Sequence, residues 1–408
     1  MGMAKSLEHS ISRVKDLLAF SLGMMNGENG RLLMERYKDA IESITPFDML
    51  ALEDKQLEMG ITPGLIKKDI EKVVNVFFKS LANYHWDKPV EENFLYYLML
   101  ENKAFTFRLN QVKKIIKSYK DREQADFAEM KMELLPHFKE FITFDAHYVK
   151  KENILFPYLE KLWKQYRPLK VMWSLHDDIR NQLKIIISIL ESQQSSWNNF
   201  NKILGKYYFL VFGMIQKEDL IVYPVAAETV SKDQWYDMHI QSFEYRFPFI
   251  EKPTKPTDTQ PKKRTLNLPR NPKLGIQSET GNMTAEQALL IFNNLPVDLT
   301  LVDENDKVVF FNKAKDRFFP RSPAIIGRAV QNCHPPESLD TVEKIIAEFR
   351  SGTKQNASFW IQMQGRFIVI QYYALRDESG GYKGVLEVSQ DITELRSLKD
   401  EKRLLDWE

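Results

Sequence analysis

The chain has 408 residues, a formal net charge of +1, 43% hydrophobic and 28% charged residues, and one cysteine. This length suits two or three globular domains; the composition is not that of a disordered chain, and it lacks the basic excess that binding to phosphate backbones brings. A single cysteine excludes an internal disulfide, and the longest apolar run, Tyr207 to Ile215, falls short of the roughly 20 residues that a membrane span needs.

The opening MGMAKSLEHSIS carries no apolar signal core, and the context of Gly2 does not read as a lipid anchor. The chain is therefore expected in the cytoplasm, with neither nucleic acid nor membrane among its partners.

Residues 1–88 read as a helical domain. Leu17, Leu18, Phe20 and Leu22 begin an apolar series that Ile41, Ile44, Leu50, Leu52 and Leu57 continue. Thr62-Pro63 supplies an N-cap and a first-turn proline for a helix from Gly64 to Leu81, with Val73, Val74, Val76, Phe77 and Phe78 as its core side. No chemistry is legible here, and His85 and Trp86 read as a packing corner.

Residues 89–250 give four long helical segments: Glu91 to Lys120, Asp126 to Tyr166, Pro168 to Gln194, and Ser196 to Val230. Short joins between long helices predict a four-helix bundle. Pro157 and Pro224 fall inside the second and fourth segments, where each is expected to kink or end its helix.

These two prolines close similar stretches, "HYVKKENILFP" (His147 to Pro157) and "MIQKEDLIVYP" (Met214 to Pro224). A carboxylate-rich metal site in a bundle places His and an acid on one helix face, four residues apart. His147 is followed at that distance by Lys151, and Glu152 lies one step further, about 100° round the helix. With the prolines superposed, Met214 matches His147 and Glu218 matches Lys151, so each stretch holds one half of a His-x-x-x-Glu pair. "LHDDI" (Leu175 to Ile179) and "ENKAF" (Glu101 to Phe105) form a second contrast, with Asn102 where the other has His176.

Helices bearing these motifs, with "HYVKKENILFPYLEK" and "VMWSLHDDIR" matching closely, resemble the hemerythrin-like (HHE) cation-binding bundle. In one branch of that family a small helical domain of unknown function precedes the bundle and a PAS domain follows it, as the order of segments here suggests. The resemblance implies bound iron and sensing of oxygen, nitric oxide or redox state. Carried over by position, His147, His176 and Glu218 match the family's ligands, while Asn102, Lys151 and Met214 depart from them. Those departures leave too few donors for a pair of irons but enough for a single iron ion, with Asn102 or water completing its shell. The other reading is that a buried Lys151 pairs with Glu218 and supplies the positive charge itself, leaving His147 and His176 as hydrogen-bonded core residues.

Residues 251–283 form a Pro-rich, basic stretch expected to act as a linker. Residues 284–408 switch to period two and predict an α+β domain with a five-stranded antiparallel sheet. Val297, Leu299 and Leu301 are the expected inward face of its first strand. Asp303 to Asp306 turns into a strand over Lys307 to Asn312, and two helical stretches follow, the second from Leu339 to Phe349. The remaining strands are Ala357 to Met363, Arg366 to Leu375 and Tyr382 to Val388. A terminal helix is expected, with Ile392, Leu395, Leu398 and Leu405 along one side.

"LPVDLTLVDENDKVVFFNKAKDRFF", "IIGRAVQNCHPPESL" and "GVLEVSQDITEL" resemble the opening, connecting segment and last strand of a PAS domain. The resemblance implies a small-ligand pocket between sheet and helices, or dimerisation. Candidate linings are Phe310, Phe318, Phe319, Trp360, Ile370 and Tyr372. Cys333-His334 adds a redox-active thiol and a haem-ligand type, although haem is not expected because a His-Pro step is ordinary there.

No kinase, cyclase, helix-turn-helix, Ser-His-acid, phosphate-loop or CxxC signature is present. The reading is a non-catalytic sensor or regulatory protein, a homodimer through its PAS domain, acting on a protein partner that the sequence does not name. The alternatives are an iron-handling enzyme similar to di-iron proteins that repair iron–sulfur clusters, and a metal-free interaction scaffold.

Overall fold

The computed structural model describes residues 2–89, 93–120, 127–193, 196–256, 275–278, 280–315, 317–363 and 365–399, and side chains throughout these except at 2–10, 67–75, 277–278 and 336. The expected helix starts at Glu91 and Asp126, the linker stretch 257–274 and Leu405 fall outside this set. The chain divides into two compact units, Met1–Pro256 and Thr257–Glu408.

The first unit is helical. Its N-terminal part comprises α1 (Gly2–Met25), α2 (Gly30–Arg36), α3 (Lys38–Glu42), α4 (Pro46–Glu58) and α5 (Pro63–Ala82). Thr45 and Asp48 form a reciprocal capping box at the start of α4, and Thr62 caps α5 ahead of Pro63. The bundle comprises α6 (Phe94–Lys120), a second helix broken into α7 (Phe127–Phe141), α8 (Asp145–Lys150) and α9 (Phe156–Leu162), then α10 (Pro168–Glu191), and a fourth helix made of α11 (Trp197–Lys217) and α12 (Tyr223–Thr229). A further helix, α13 (Lys232–Ser242), begins at a Ser231–Gln234 capping box that the sequence reading passed over.

One continuous apolar core runs from Leu17 and Phe20 of α1, through Phe77 of α5, to Phe105, Phe138 and Tyr207 of the bundle. The N-terminal helices are also bonded to the bundle by polar groups. Lys217 on α11 pairs with Glu53 on α4 at 2.5 Å, with both side chains 2% exposed. Arg167 reaches Asp54 at 2.7 Å, and the Tyr84 hydroxyl donates to Glu228 at 2.8 Å.

Pro157 and Pro224 neither end nor sharply break their helices. Each is preceded by a single wide π turn, Lys151–Leu155 and Glu218–Val222. A proline lacks an N–H, and its ring crowds the carbonyl four residues back. Widening the turn relieves both: the amide of Phe156 donates to the Lys151 carbonyl and that of Tyr223 to the Glu218 carbonyl, five residues back in each case.

In the second unit, β1 (Gly275–Ser278) and β2 (Gly281–Thr284) make a hairpin inside the stretch expected to be linker, and α14 (Ala285–Asn294) follows. A five-stranded antiparallel sheet is built from β3 (Asp298–Asp303), β4 (Val308–Phe311), β5 (Asn356–Met363), β6 (Arg366–Arg376) and β7 (Tyr382–Asp391), in the order β4-β3-β7-β6-β5. The connection from β4 leads to the helix α15 (Leu339–Ser351), but the first expected helical stretch is only short 3-10 turns, at Pro323–Ile325, Val330–Cys333 and Pro336–Ser338.

The inward face of β3 is the reverse of the one expected. Asp298 and Thr300 are 3% exposed, whereas Leu299 and Leu301 are only half-buried. The connecting segment meets the polar pair: Asp298 Oδ2 accepts the amides of Phe318 and Phe319, and Arg317 donates to the Thr300 hydroxyl at 3.3 Å. At the same end of the sheet, where Ser389 pairs with Asp298, the chain leaves β7 through a 3-10 turn, Leu395–Ser397, with Leu398 72% exposed, so the expected terminal helix does not start there.

Candidate functional site

The centre of the bundle is polar and closed. His147 on α8, His176 on α10, Glu218 at the head of its π turn and Lys151 at the head of the other are all 0% exposed, with Asn102 on α6 at 2%. Lys151 and Glu218 hold equivalent places in the two proline-closed stretches, and across the bundle they meet: the Lys151 ammonium donates to Glu218 Oε1. The other oxygen, Oε2, accepts from Asn102 Nδ2 at 2.7 Å and from the Tyr223 hydroxyl at 2.9 Å, with His147 Nε2 at 3.5 Å. Burial alone would raise the Glu218 carboxyl, but the charge of Lys151 opposes it foremost, and the carboxyl is held well below the usual carboxylate range. Burial pulls the Lys151 ammonium down from its ordinary value, with Glu218 opposing that shift. Met214, where the matching stretch has His147, is 1% exposed and belongs to the apolar core.

Both imidazoles are held from behind by carboxylates. His147 Nδ1 bonds Glu101 Oε2 at 2.7 Å, and Glu101 in turn receives Lys150. His176 Nδ1 bonds Glu152 Oε1 at 2.8 Å, and Glu152 is clamped by Arg180 through bonds of 2.9 and 3.0 Å. Burial first, then the charge of Lys151, hold His176 well below its ordinary pKa, so its ring is neutral, with the proton placed on Nδ1 by the carboxylate beside it. His147 Nε2 and His176 Nε2 are both buried without a hydrogen-bond partner. The Tyr148 ring lies between the two halves of the cluster, stacked on His176 with centroids 4.5 Å apart and with Lys151 Nζ 4.8 Å from its own centroid.

The structure thus gathers His147, Glu218, Asn102 and Lys151 at one point and sets His176 beside them. Glu101, Lys150, Glu152 and Arg180 were missed as supporting groups. Their signal was present: Glu101, Lys150 and Glu152 fall inside the quoted motifs, and Arg180 directly follows LHDDI.

The residues do not fit a metal centre as they stand. Glu218 is the carboxylate of the expected set, and its acceptor positions are taken by an ammonium, an amide and a phenol. Among the described residues, no group of three or more His, Cys, Asp or Glu side chains is arranged to hold an ion. The imidazoles are nonetheless oriented by carboxylates on Nδ1, as metal-ligating histidines commonly are.

The second candidate lies in the other unit. A cavity of about 200 Å³ opens between the sheet and α15, walled by Val302, Val342, Ile345, Ile346, Phe359 and Val385, with His334, Tyr372 and Glu387 as its main polar groups. Burial, and then Arg321, push His334 down to about 4, so it presents a neutral ring. Burial and Glu387 raise the Tyr372 hydroxyl well above its ordinary value. Of the expected linings, His334 and Tyr372 are there and the others are not. Trp360 is 67% exposed on the far face of β5, because the register pairs Phe359 with Ile370 and places Phe359 on the covered face. Phe310 packs on Phe292 of α14 at 5.9 Å, and Phe318 lines a separate surface hollow near Asp298 and Arg366. Neither Phe319 nor Ile370 is among the wall residues. Cys333 is half-buried and donates weakly to the Ala329 carbonyl.

No helix of the described residues is long and apolar enough to cross a membrane. Comparison with curated proteins finds no match. The hemerythrin HHE cation-binding domain matches residues 93–226, and a PAS domain matches residues 289–393. Among solved structures, the C-terminal domain of a Streptococcus mutans protein is 34% identical over 32% of this chain and 100% of its own length, with a TM-score of 0.30. A PAS domain from Colwellia psychrerythraea is 17% identical over 27% of this chain and 97% of its own, with a TM-score of 0.22. The PAS domain of Bordetella pertussis BvgS is 17% identical over 28% and 91%, with a TM-score of 0.23. With its helical N-terminal region, a bundle over 93–226 and a five-stranded antiparallel sheet within 289–393, the chain is a hemerythrin HHE and PAS domain protein.

Proposed function

We propose that the protein is a non-catalytic sensor or regulatory protein whose PAS domain takes up a small, mostly apolar molecule with one hydrogen-bonding end. The observation that carries this reading is the cavity of about 200 Å³ with apolar walls and a few polar groups, His334, Tyr372 and Glu387. A cavity of about 150 Å³ holds benzene, and pockets for drug-sized ligands run to about 300–1,000 Å³. The fit is therefore to a molecule of single-ring size, and haem on His334 is too large for the space. Output is by interaction: Leu289, Leu290 and Ile291 of α14 are 47%, 58% and 48% exposed, which supports a PAS homodimer or a protein partner as the recipient.

Phenol, apolar with one hydroxyl, is a suitable probe in thermal unfolding of the full chain. It should raise the unfolding temperature of the PAS unit in the wild type and in Trp360→Ala, whose side chain lies outside the cavity. It should not do so in Val385→Phe, which fills the space. No shift in the wild type, or an undiminished shift in Val385→Phe, would sink the reading.

A further inference from the structure

The outer layer of a metal site is complete in the bundle while its centre is not. His147 and His176 each give Nδ1 to a buried carboxylate, at 2.7 and 2.8 Å, and each leaves Nε2 buried and unpartnered. This is how ligating histidines are fixed, with the tautomer set from behind and the lone pair presented forward. Glu218 faces the same region, 3.5 Å from His147 Nε2. The group that answers this carboxylate is the side chain of Lys151, 0% exposed, from the equivalent position of the opposite stretch.

We propose that the Lys151 ammonium is the bundle's built-in cation: it stands in the place of a divalent ion, so that the wild-type bundle binds none, and its removal alone reopens a latent site for a borderline ion such as Zn(II) or Co(II) on His147, His176 and Glu218. A tethered ammonium satisfies the buried carboxylate as an ion would, without leaving it an uncompensated charge. It cannot satisfy the imidazoles in the same way. Held on Glu218, it leaves both Nε2 atoms without a hydrogen bond, whereas an ion has coordination positions for imidazoles as well as for a carboxylate. The two orphan nitrogens are thus the mark of a substitution at the centre that the periphery has not followed.

The test compares the full-length wild type with Lys151→Ala and Lys151→Ala/His176→Ala, by titration with Zn(II) and by thermal unfolding with and without the metal. The wild type should show no saturable Zn(II) site that depends on His176, and no shift in unfolding temperature. Lys151→Ala should bind one equivalent, at least about 100-fold tighter than the wild type. With Co(II) in its place it should show the visible absorption of a low-symmetry ion, and both signals should vanish in the double variant. Lys151→Ala leaves Glu218 without its counter-charge, so folding that depends on added Zn(II) also supports the proposal. It is overturned by one equivalent of Zn(II) on the wild type that is lost in His176→Ala. It is equally overturned by a Lys151→Ala protein that folds yet takes no Zn(II), or that stays unfolded with and without the metal.

Discussion

Replacing Lys217 by Met tests whether the N-terminal helices and the bundle are joined by a buried ion pair as well as by their common core. Lys217 and Glu53 are each 2% exposed and 2.5 Å apart, and the second oxygen of Glu53 is buried without a partner. Methionine keeps most of the unbranched side chain, one atom shorter, and removes the ammonium, so the loss is mainly that of stranding Glu53. Leaving one member of a buried pair alone costs about 3–5 kcal/mol. In a helical unit of this size that lowers the unfolding temperature by roughly 6–20 °C. The double variant Lys217→Met/Glu53→Leu removes the stranded charge as well and should recover most of the loss, since a well-packed apolar pair often matches a buried ion pair. Urea unfolding of the full chain, followed at the helical circular dichroism band, gives all four corners of the double-mutant cycle. A single variant that costs less than about 1 kcal/mol, or a double variant no better than the single, would refute the reasoning.

The remaining predictions concern the PAS unit. His334 has a folded pKa of about 4 against an ordinary 6.5, so between these values the unfolded chain binds a proton that the native state refuses. Its contribution is complete above the ordinary pKa and is lost as pH falls towards 4, by up to ~3 kcal/mol for a fully buried ring and less for this one. Thermal unfolding from neutral to acid pH should show that slope in the wild type and a flatter one in His334→Gln; equal slopes count against it. Gly384 sits at φ +130° opposite Asp303, and a Cβ there would lie 2.0 Å from the Val302 carbonyl oxygen. Gly384→Ala should therefore part β3 from β7 and cost at least ~3 kcal/mol, read as lost amide protection in those strands. Protection like that of the wild type would show that the strands tolerate the side chain.

The bundle motifs were legible because a helix fixes which residues share a face. His147, Lys151 and Glu218 had to be compared at four-residue spacing whatever the rest of the chain did, and the structure places Lys151 on Glu218. Glu101 and Glu152 were less legible, since their role depends on helices other than their own. The sheet was harder. Phe359 and Trp360 are neighbours of similar character on edge strand β5, and nothing local decides which faces the cavity; pairing with β6 does. Asp298 and Thr300 read as the outward half of an alternating strand, and they are inward because the segment bearing Arg317 and Phe318 folds back over them and meets their polar atoms. The π turns could not be read from periodicity either, though the prolines that cause them could.

The sequence by itself determined the order of the parts, the helical and strand periods, and the residues available at the centre of the bundle, because these follow from local spacing and side-chain chemistry. Tertiary structure decided what those residues do. Whether a lysine at a ligand position points outward to water or inward to a carboxylate depends on what the opposite helix presents at the same height. Here it presents Glu218, and the pair closes the centre of the bundle.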